Sequence, residues 1–398
     1  MGSPCAKKPI YNLDVKMRFM VIARVSALLV VLACARLAAA QPSAPGAPDA
    51  HEASMGQTTQ APADAREYPT LHIAGFGDVN FATTKRPEGP RGFSLGQFVL
   101  HMTSELSPRV TFFGEISFTA RSDAGTGAPL APGFNAEVER MIVRFDRNDH
   151  LKVSFGRYHT PINWWNTAFH HGQWLQTTIT RPEMTQFGGR FIPVHFVGAL
   201  VEGSVPASGW NVNYKGGMGN GRNSVISRAG DAGDTNGSKA WLVNAFSKPD
   251  RAYGLEFGGA IYGDTVLLAT SREVDERIYS AYAVWQKEDP EIIAEVANVR
   301  HEDPGTHAVT WSHAYYVQAA YRLPQFKRLW KPYFRFEHIG IDDADVMFAT
   351  VPRLDGGTLG IRYDISQYAA VKGEYRSWTR GEGTPRNHGG FFQVCFTF

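Results

Sequence analysis

The feature that most constrains the fold is an alternation of apolar and polar residues with a period of two. It recurs in short runs from about residue 70 to the last residue. In one run, Phe334 and Phe336 alternate with Tyr333, Arg335 and Glu337. Successive side chains of a β-strand point to opposite faces of the sheet, so this pattern places apolar groups on one face and charged groups on the other. It predicts amphipathic strands rather than helices.

About sixteen such runs occur, and an even number is what single-chain bacterial barrels have. Each run is long enough to form one strand. The predicted strands lie near residues 70–82, 93–105, 110–120, 135–146, 151–158, 194–203, 209–216, 239–247, 254–263, 275–286, 291–301, 310–321, 332–339, 357–364, 368–378 and 390–398.

The connections between these strands alternate in length. Short connections alternate along the chain with connections that are mostly longer and rich in Gly, Asp and Asn. Short turns at one end and long loops at the other are typical of outer-membrane barrels, and a closed barrel leaves no unpaired backbone edge in lipid. We therefore predict an all-β fold, a transmembrane antiparallel β-barrel of about 16 strands over residues 67–398.

Composition excludes several other classes of protein. A chain that is 43% hydrophobic and 12% aromatic is too apolar to be disordered, and three cysteines cannot form a disulfide scaffold in 398 residues. Beyond the first forty residues no run of 18 apolar residues occurs, which excludes helical membrane spans. The Lys and Arg excess is concentrated in residues 1–40, so the slightly acidic remainder predicts no binding to nucleic acid.

The N-terminal region has the composition of an export signal. A basic stretch, a short apolar run over residues 25–40 and an Ala-rich end predict a signal peptide over residues 1–40, with Met17 as a possible true start. Lipidation at Cys34 is the alternative. Residues 41–66 are rich in Ala and Pro without an apolar period, and we predict a flexible linker there.

The C-terminal strand carries a specific pattern. Phe392, Val394, Phe396 and Phe398 alternate with polar or small residues, and the chain stops at an aromatic residue. This resembles the terminal strand of Gram-negative outer-membrane proteins. The resemblance implies that these four residues form a signal read by the barrel-assembly machinery.

From Tyr68 to Phe398, the chain resembles a Gram-negative outer-membrane porin. Residues 156–161 (GRYHTP) are similar to the strand end that precedes the long third loop of porins. Residues 331–337 (KPYFRFE), and the pair of segments GIRYD and KGEY near residues 360–375, look like late strands of the phosphate-selective porin O and P family. The resemblance implies a homotrimer of sixteen-stranded barrels that passes small solutes by diffusion.

Phosphate-selective members of that family line their pores with arginine and lysine. Here the inward-facing positions mix basic residues with glutamates such as Glu115, Glu256 and Glu295. The pore-lining residues predicted from strand parity are Arg144, Lys152, Lys215, Arg335, Glu337, Arg362, Lys372, Glu374 and Arg376.

The longest connection, loop 159–193, falls between the fifth and sixth predicted strands. In sixteen-stranded porins this third loop folds into the barrel and narrows it, so the resemblance implies an inward-folded constriction here. We expect its tryptophans to pack against the wall, its charged residues to face the aqueous path, and its histidines to respond to pH. The predicted constriction residues are His159, Trp164, Trp165, His170, His171, Trp174, Arg181, Glu183 and Arg190.

The sequence carries only weak motifs for catalysis or metal binding. Residues 92–96 (GFSLG) match the nucleophile pattern GxSxG, but a predicted strand follows where a helix is required. Adjacent His170 and His171 do not by themselves make a metal signature. We predict no catalytic residues, no metal site and no cofactor, and we do not expect an enzyme.

The sequence therefore predicts an outer-membrane porin that forms a water-filled channel for passive diffusion of small hydrophilic solutes or ions. Expected partners are outer-membrane lipid and lipopolysaccharide, the barrel-assembly machinery, small solutes and two further copies of the chain. The alternatives are a substrate-specific channel for anions such as phosphate, sugars or organic acids, and a plugged barrel acting as an enzyme or adhesin. A soluble secreted β-protein is a third interpretation.

Overall fold

A computed structural model describes residues 67–85, 91–120, 134–169, 171–186 and 190–398. The predicted signal peptide, the predicted linker and His170 lie outside the described residues. The account of the fold and of the site below concerns the described residues.

The described part of the chain folds into a closed antiparallel barrel of sixteen strands, which confirms the predicted fold class. Every predicted strand overlaps an observed one. The strands are β1 (His72–Thr84), β2 (Gly92–Ser107), β3 (Val110–Ala120), β4 (Phe134–Asn148), β5 (Leu151–His159), β6 (His195–Val205), β7 (Val212–Asn220), β8 (Ala240–Ser247), β9 (Leu255–Leu267), β10 (Glu273–Trp285), β11 (Glu291–Glu302), β12 (Val309–Ala320), β13 (Trp330–Gly340), β14 (Leu354–Ser366), β15 (Ala369–Arg380) and β16 (Asn387–Thr397).

In the described residues, helical structure lies in the connections. A short α-helix, α1, spans Trp164–Ala168, and 3₁₀ turns span Glu183–Thr185, Asp250–Ala252 and Pro324–Phe326. Within the described residues, no helix has both the length and the apolar character needed to cross a membrane.

The barrel closes where the last strand pairs with the first. β16 runs antiparallel to β1, with Phe392 opposite Phe81 and Phe396 opposite Gly77. The pairing continues to the C-terminus, because Phe398 and Gly75 exchange backbone hydrogen bonds of 2.9 and 3.0 Å. The seam leaves neither terminal strand with an open edge along these pairs.

The two faces of the wall follow the predicted parity. On β13, Phe334 and Phe336 are exposed on the outside, whereas Tyr333 and Arg335 are buried on the inside. The four residues of the predicted assembly signal share the outward face of the final strand: Phe392, Val394, Phe396 and Phe398. The outer surface is therefore largely apolar.

The inside of the barrel carries apolar as well as charged side chains. Strands β8–β13 turn apolar side chains inward, including Tyr262, Ile278 and Ile293, each almost completely buried. These residues belong to one cluster with loop residues such as Trp165 and Phe348. Loops packed inside the barrel therefore cover part of its wall.

β4 and β5 approach each other closely at Gly156. A Cβ atom added there would lie 1.9 Å from the carbonyl oxygen of Met141 on β4. At Gly373 on β15, by contrast, an added Cβ would meet open space. Gly156 therefore permits a pairing that any side chain would disturb.

We predict that Gly156→Ala destabilises the barrel, because the methyl group forces β4 and β5 apart. Strain of this kind costs on the order of 1–3 kcal/mol. The urea midpoint of the detergent-folded protein, followed by heat-modifiable migration in gels, should fall. Gly373→Ala is the matched control and should leave the midpoint unchanged; equal effects of the two substitutions would contradict the argument.

Candidate functional site

Loop 159–193 connects β5 to β6. The ladder between these strands ends where Thr160 donates its backbone N–H to the Val194 carbonyl at 2.8 Å, and Pro161, which has no N–H, follows. The Asn166 amide donates to the carbonyls of both Thr160 and Val194, at 3.1 and 2.9 Å. This side chain closes the base of the loop from within.

Three inward-facing glutamates accept hydrogen bonds from the loop backbone. Glu295 on β11 accepts the N–H groups of Trp164 and Trp165, both at 2.9 Å, at the first turn of α1. Glu337 on β13 and Glu374 on β15 each accept one further loop N–H at 2.6 Å. A buried backbone donor needs a partner, and a carboxylate is a strong one.

Three inward-facing cations bind loop carbonyl groups in the same way. Arg335 donates to the Thr180 carbonyl and Arg362 to the Trp174 carbonyl, both at 2.7 Å. Lys372 donates to two other loop carbonyls. Glutamates on β11, β13 and β15 and cations on β13, β14 and β15 thus hold the irregular loop backbone against the inner wall.

The aromatic residues of the loop pack against one another and against aromatic side chains of the inner wall. Trp165 is completely buried and makes edge-to-face contacts with Phe169 and Tyr316, with ring centroids 5.1 and 6.0 Å apart. The Arg335 guanidinium lies 5.9 Å from the Trp165 ring, within the range of a cation–π contact. Packing and hydrogen bonding therefore act on the same stretch of the loop.

A second loop, residues 341–353 between β13 and β14, folds onto the first. Phe348 is completely buried, and its ring centroid lies 5.4 Å from that of Phe191 in loop 159–193. Asp345 accepts a hydrogen bond from His301 of β11 at 2.8 Å and the N–H of Phe348 at 3.0 Å. The carboxylate fixes the turn that presents the phenylalanine.

The Asp345 carboxyl is held in its charged form. Burial raises its pKa, but hydrogen bonding and charge from His301 and hydrogen bonds from Phe348 and Ser312 outweigh burial, so the net pKa lies below the ordinary value. Glu276 faces the other ring nitrogen of His301 at 3.2 Å. The imidazole therefore lies between two carboxylates.

A β-bulge changes the direction of one side chain on β4. Glu115 of β3 pairs with Arg140, and the next residue, Ile116, pairs with Val138, so Glu139 is the extra residue. Arg140 and Glu139 consequently both turn inward, although a regular strand would place them on opposite faces.

Histidines gather around the two carboxylates at this bulge. Glu115 is completely buried, lies 3.0 Å from the Nε2 atom of His101 and 3.4 Å from that of His159, and forms an ion pair with Arg140.

Glu139 accepts a hydrogen bond of 2.7 Å from the Ser117 hydroxyl. Its carboxylate also lies 3.1 Å from His171 Nε2 and 2.9 Å from His195 Nε2. Glu115 and Glu139 thus gather four histidines, His101, His159, His171 and His195, at the base of loop 159–193.

The predicted constriction residues are distributed between packing and exposed positions. Arg190 is exposed, whereas Trp174 and Glu183 are half-buried, and both oxygens of Glu183 pair with Arg380 at 2.7 Å. Burial lowers the pKa of the Arg181 guanidinium to about 9, so it stays charged at neutral pH. The buried members of the set are His159, Trp164, Trp165, His171 and Arg181.

The predicted pore-lining residues divide into two groups. The first is buried beneath the loop that it binds: Arg335, Arg362, Lys372 and Glu374. The second is half-buried: Arg144, Lys152, Lys215, Glu337 and Arg376. In the second group Arg144 pairs with Asp146 at 2.7 Å, and Glu202 lies 3.6 Å from Arg144 and 3.7 Å from Lys215.

The sequence did not single out several residues that the structure brings together. Glu139 stood on the outward parity of a regular strand, and only the bulge turns it inward. His195 opens β6 directly opposite His159, and that pairing could have been inferred once the two strands were joined by loop 159–193. Asp345 lies in a long connection with no pattern to indicate its partner.

Comparison with known proteins shows which solved structures share this fold. No protein-family model matches the sequence, and no curated protein matches it. Solved structures do match. An anion-selective porin from Comamonas acidovorans superimposes with a TM-score of 0.59 at 12% identity, over 83% of this chain and 100% of that one.

Two further matches are also outer-membrane proteins. The outer membrane channel DcaP of Acinetobacter baumannii gives a TM-score of 0.55 at 9% identity, over 83% of this chain and 97% of that one. The trimer form of OmpT, an outer membrane protein of Vibrio cholerae, gives 0.51 at 12%, over 83% and 100%. This chain has the fold of Gram-negative outer-membrane porins; the phosphate-selective branch stays a prediction.

We predict that Glu295→Ala releases the first turn of loop 159–193. The substitution leaves the N–H groups of Trp164 and Trp165 without their acceptor, at a cost of about 1–3 kcal/mol for each buried donor that stays unsatisfied. Limited proteolysis of the folded protein should then cut within the loop, and tryptophan emission should shift to the red. Glu202→Ala, which removes an inward carboxylate that does not touch the loop, is the control and should leave both readouts unchanged.

We also predict that the packing of residues 341–353 is lost in acid. A carboxyl whose pKa is depressed by folding contributes stability above its ordinary pKa of about 4 and loses it as pH falls towards the lower folded value. A fluorophore on Thr350→Cys should therefore gain mobility below pH 4 but not between pH 5 and 7. Asp345→Asn should show that mobility already at pH 6; a label that stays immobile in this variant would refute the role of the carboxylate.

Proposed function

We propose that this protein is an outer-membrane porin, a water-filled channel through which small hydrophilic solutes or ions diffuse passively. The observation that carries the proposal is the closed sixteen-stranded barrel with an apolar outer face and charged side chains inside. Such a wall is stable in lipid because every strand is paired. Its likeness to the Comamonas acidovorans porin over the whole of that chain supports the same role.

Loop 159–193 supplies the constriction in this proposal. Its backbone is tied to β11, β13, β14 and β15 by charged side chains, so it occupies that side of the interior. The half-buried basic residues Arg144, Lys152 and Lys215 lie on β4, β5 and β7. We propose that solutes pass along β4–β7 and meet these residues together with Glu202.

A barrel closed by its own loops is the second candidate. Its support is the nearly complete burial of Arg335 and Lys372, together with the packing of Phe348 on Phe191. In this form the protein would be a plugged barrel that serves as an adhesin or enzyme, or a substrate-specific channel that opens only for its ligand.

We propose transport without covalent chemistry. The GxSxG segment supports this, because Ser94 lies within β2 and pairs with Asn80, so the strand–turn–helix geometry of a nucleophile elbow does not form there. We further propose a homotrimer, because a matched structure is described as a trimer form. Export by the signal peptide, insertion by the barrel-assembly machinery and contact with lipopolysaccharide complete the proposal.

Single-channel recording tests the proposal. The full chain, refolded in detergent and inserted into a planar bilayer, should give stepwise openings, and the reversal potential in a salt gradient should report the ion preference. Glu295→Ala should raise the conductance because the loop is loosened, whereas Glu202→Ala should change mainly the reversal potential. A heat-modifiable barrel that stays silent as wild type but conducts as Glu295→Ala would establish the closed form instead.

A further inference from the structure

The base of loop 159–193 brings three potential metal ligands into one row. His159 is the last residue of β5 and is paired directly with His195, the first residue of β6, so both side chains share one face of the sheet. Glu139, turned inward by the bulge in β4, completes the row on the neighbouring strand.

The ligand atoms converge. Each of Glu139, His159 and His195 offers one atom, and these atoms all lie within 4.8 Å of one another. A second set, Glu115, His159 and His171, meets the same criterion and shares His159. Two imidazole nitrogens and a carboxylate oxygen are a ligand set that zinc sites use.

We propose that Glu139, His159 and His195 bind a divalent transition-metal ion of the zinc type, with His171 as a further ligand. The ring centroid of His159 lies 5.5 Å from that of His195 and 6.0 Å from that of His171, so both rings are close enough to share an ion with His159. His171 Nε2 lies 3.1 Å from the Glu139 carboxylate on the other side.

Glu139 is the better ligand of the two carboxylates. Glu115 forms a close ion pair with Arg140 and a 3.0 Å contact with His101, so its charge is already balanced. Glu139 lies 3.5 Å from the Arg157 guanidinium. That guanidinium also binds Asp231 at 2.7 Å and backbone carbonyls of β4. The ion pair of Glu139 with Arg157 is therefore longer, and more widely shared, than that of Glu115 with Arg140.

Side chains outside the proposed ligand set orient the ligand side chains. Gln97 Oε1 lies 3.1 Å from His171 Nδ1, so an N–H on Nδ1 donates to the amide and Nε2 presents its lone pair. The Ser117 hydroxyl donates to the Glu139 oxygen that faces His171, at 2.7 Å. Second contacts of this kind fix the tautomer and the orientation of metal ligands.

The position of the site gives it a structural consequence. His159 begins loop 159–193 at the end of β5, His195 follows the loop at the start of β6, and His171 lies within the loop. An ion held by all three would join both ends of the loop and its middle. Because imidazole binds metal through an unprotonated nitrogen, the ion would take the place of any proton between these histidines and the carboxylates.

The test is direct binding of Zn²⁺ to the full chain, folded in detergent and stripped with a chelator. Titration against a competing zinc indicator should show one tight site per chain, and Co²⁺ should give the visible absorption of a tetrahedral nitrogen–oxygen site. His159→Gln and His195→Gln should each weaken binding by about tenfold or more. Glu139→Gln, which keeps the shape of the side chain, should do the same.

His313 and His338 provide the matched control. Their Nε2 atoms lie 3.3 Å apart, outside the proposed site. The double variant His313→Gln/His338→Gln should keep the tight site. Loss of zinc there, with retention in His159→Gln, would overturn the proposal, as would a wild-type barrel that binds no stoichiometric zinc. If the histidine variants fail to fold, the wild-type stoichiometry, the Co²⁺ spectrum and the double variant still decide. Binding is measured without conductance, so a silent channel does not affect the outcome.

Discussion

The rest of the structure depends on one constraint, which is that backbone N–H and C=O groups removed from water must have partners. In hydrocarbon, each unpaired group costs several kcal/mol, and only a closed sheet satisfies all of them between strands. The pairing of β16 with β1, continued by the exchange between Phe398 and Gly75, is therefore the contact on which the barrel depends. The alternating apolar and polar residues follow from it, because a closed wall has one outer and one inner face.

The same constraint governs loop 159–193, where no neighbouring strand is available. Its backbone lies against the inner wall, and charged side chains take the place of a ladder. Glu295 accepts two N–H groups at the first turn of α1, and Arg335 and Arg362 donate to carbonyls further along. The bonds to Glu295 and Arg335 are charge-assisted and shielded from water, so they hold the loop more firmly than neutral partners would.

The need to pair every buried backbone group explains which features could be predicted from the sequence and which could not. Strand number and facing were predictable because a period of two is local: Arg335 lies inside and Phe336 outside as expected. The surroundings of Arg335 were not predictable, because they depend on how a 35-residue connection returns to a wall far away in sequence. Glu139 shows the other limit, since a bulge shifts the parity by one residue, and its trace in the sequence is only a change of phase between Val138 and Met141.

A count of inward-facing charges is consequently a poor measure of the field that a solute would meet. Parity assigned Arg335, Arg362, Lys372 and Glu374 to the pore, and all four face inward, yet their charges are directed at the loop backbone and at one another. In the proposed channel, solutes would meet half-buried charges such as Lys152 on β5 and Lys215 on β7. Lys215 lies 3.7 Å from Glu202, so basic and acidic groups face the same space. In such a channel, the ion preference would rest on these half-buried charges rather than on every charge that strand parity turns inward.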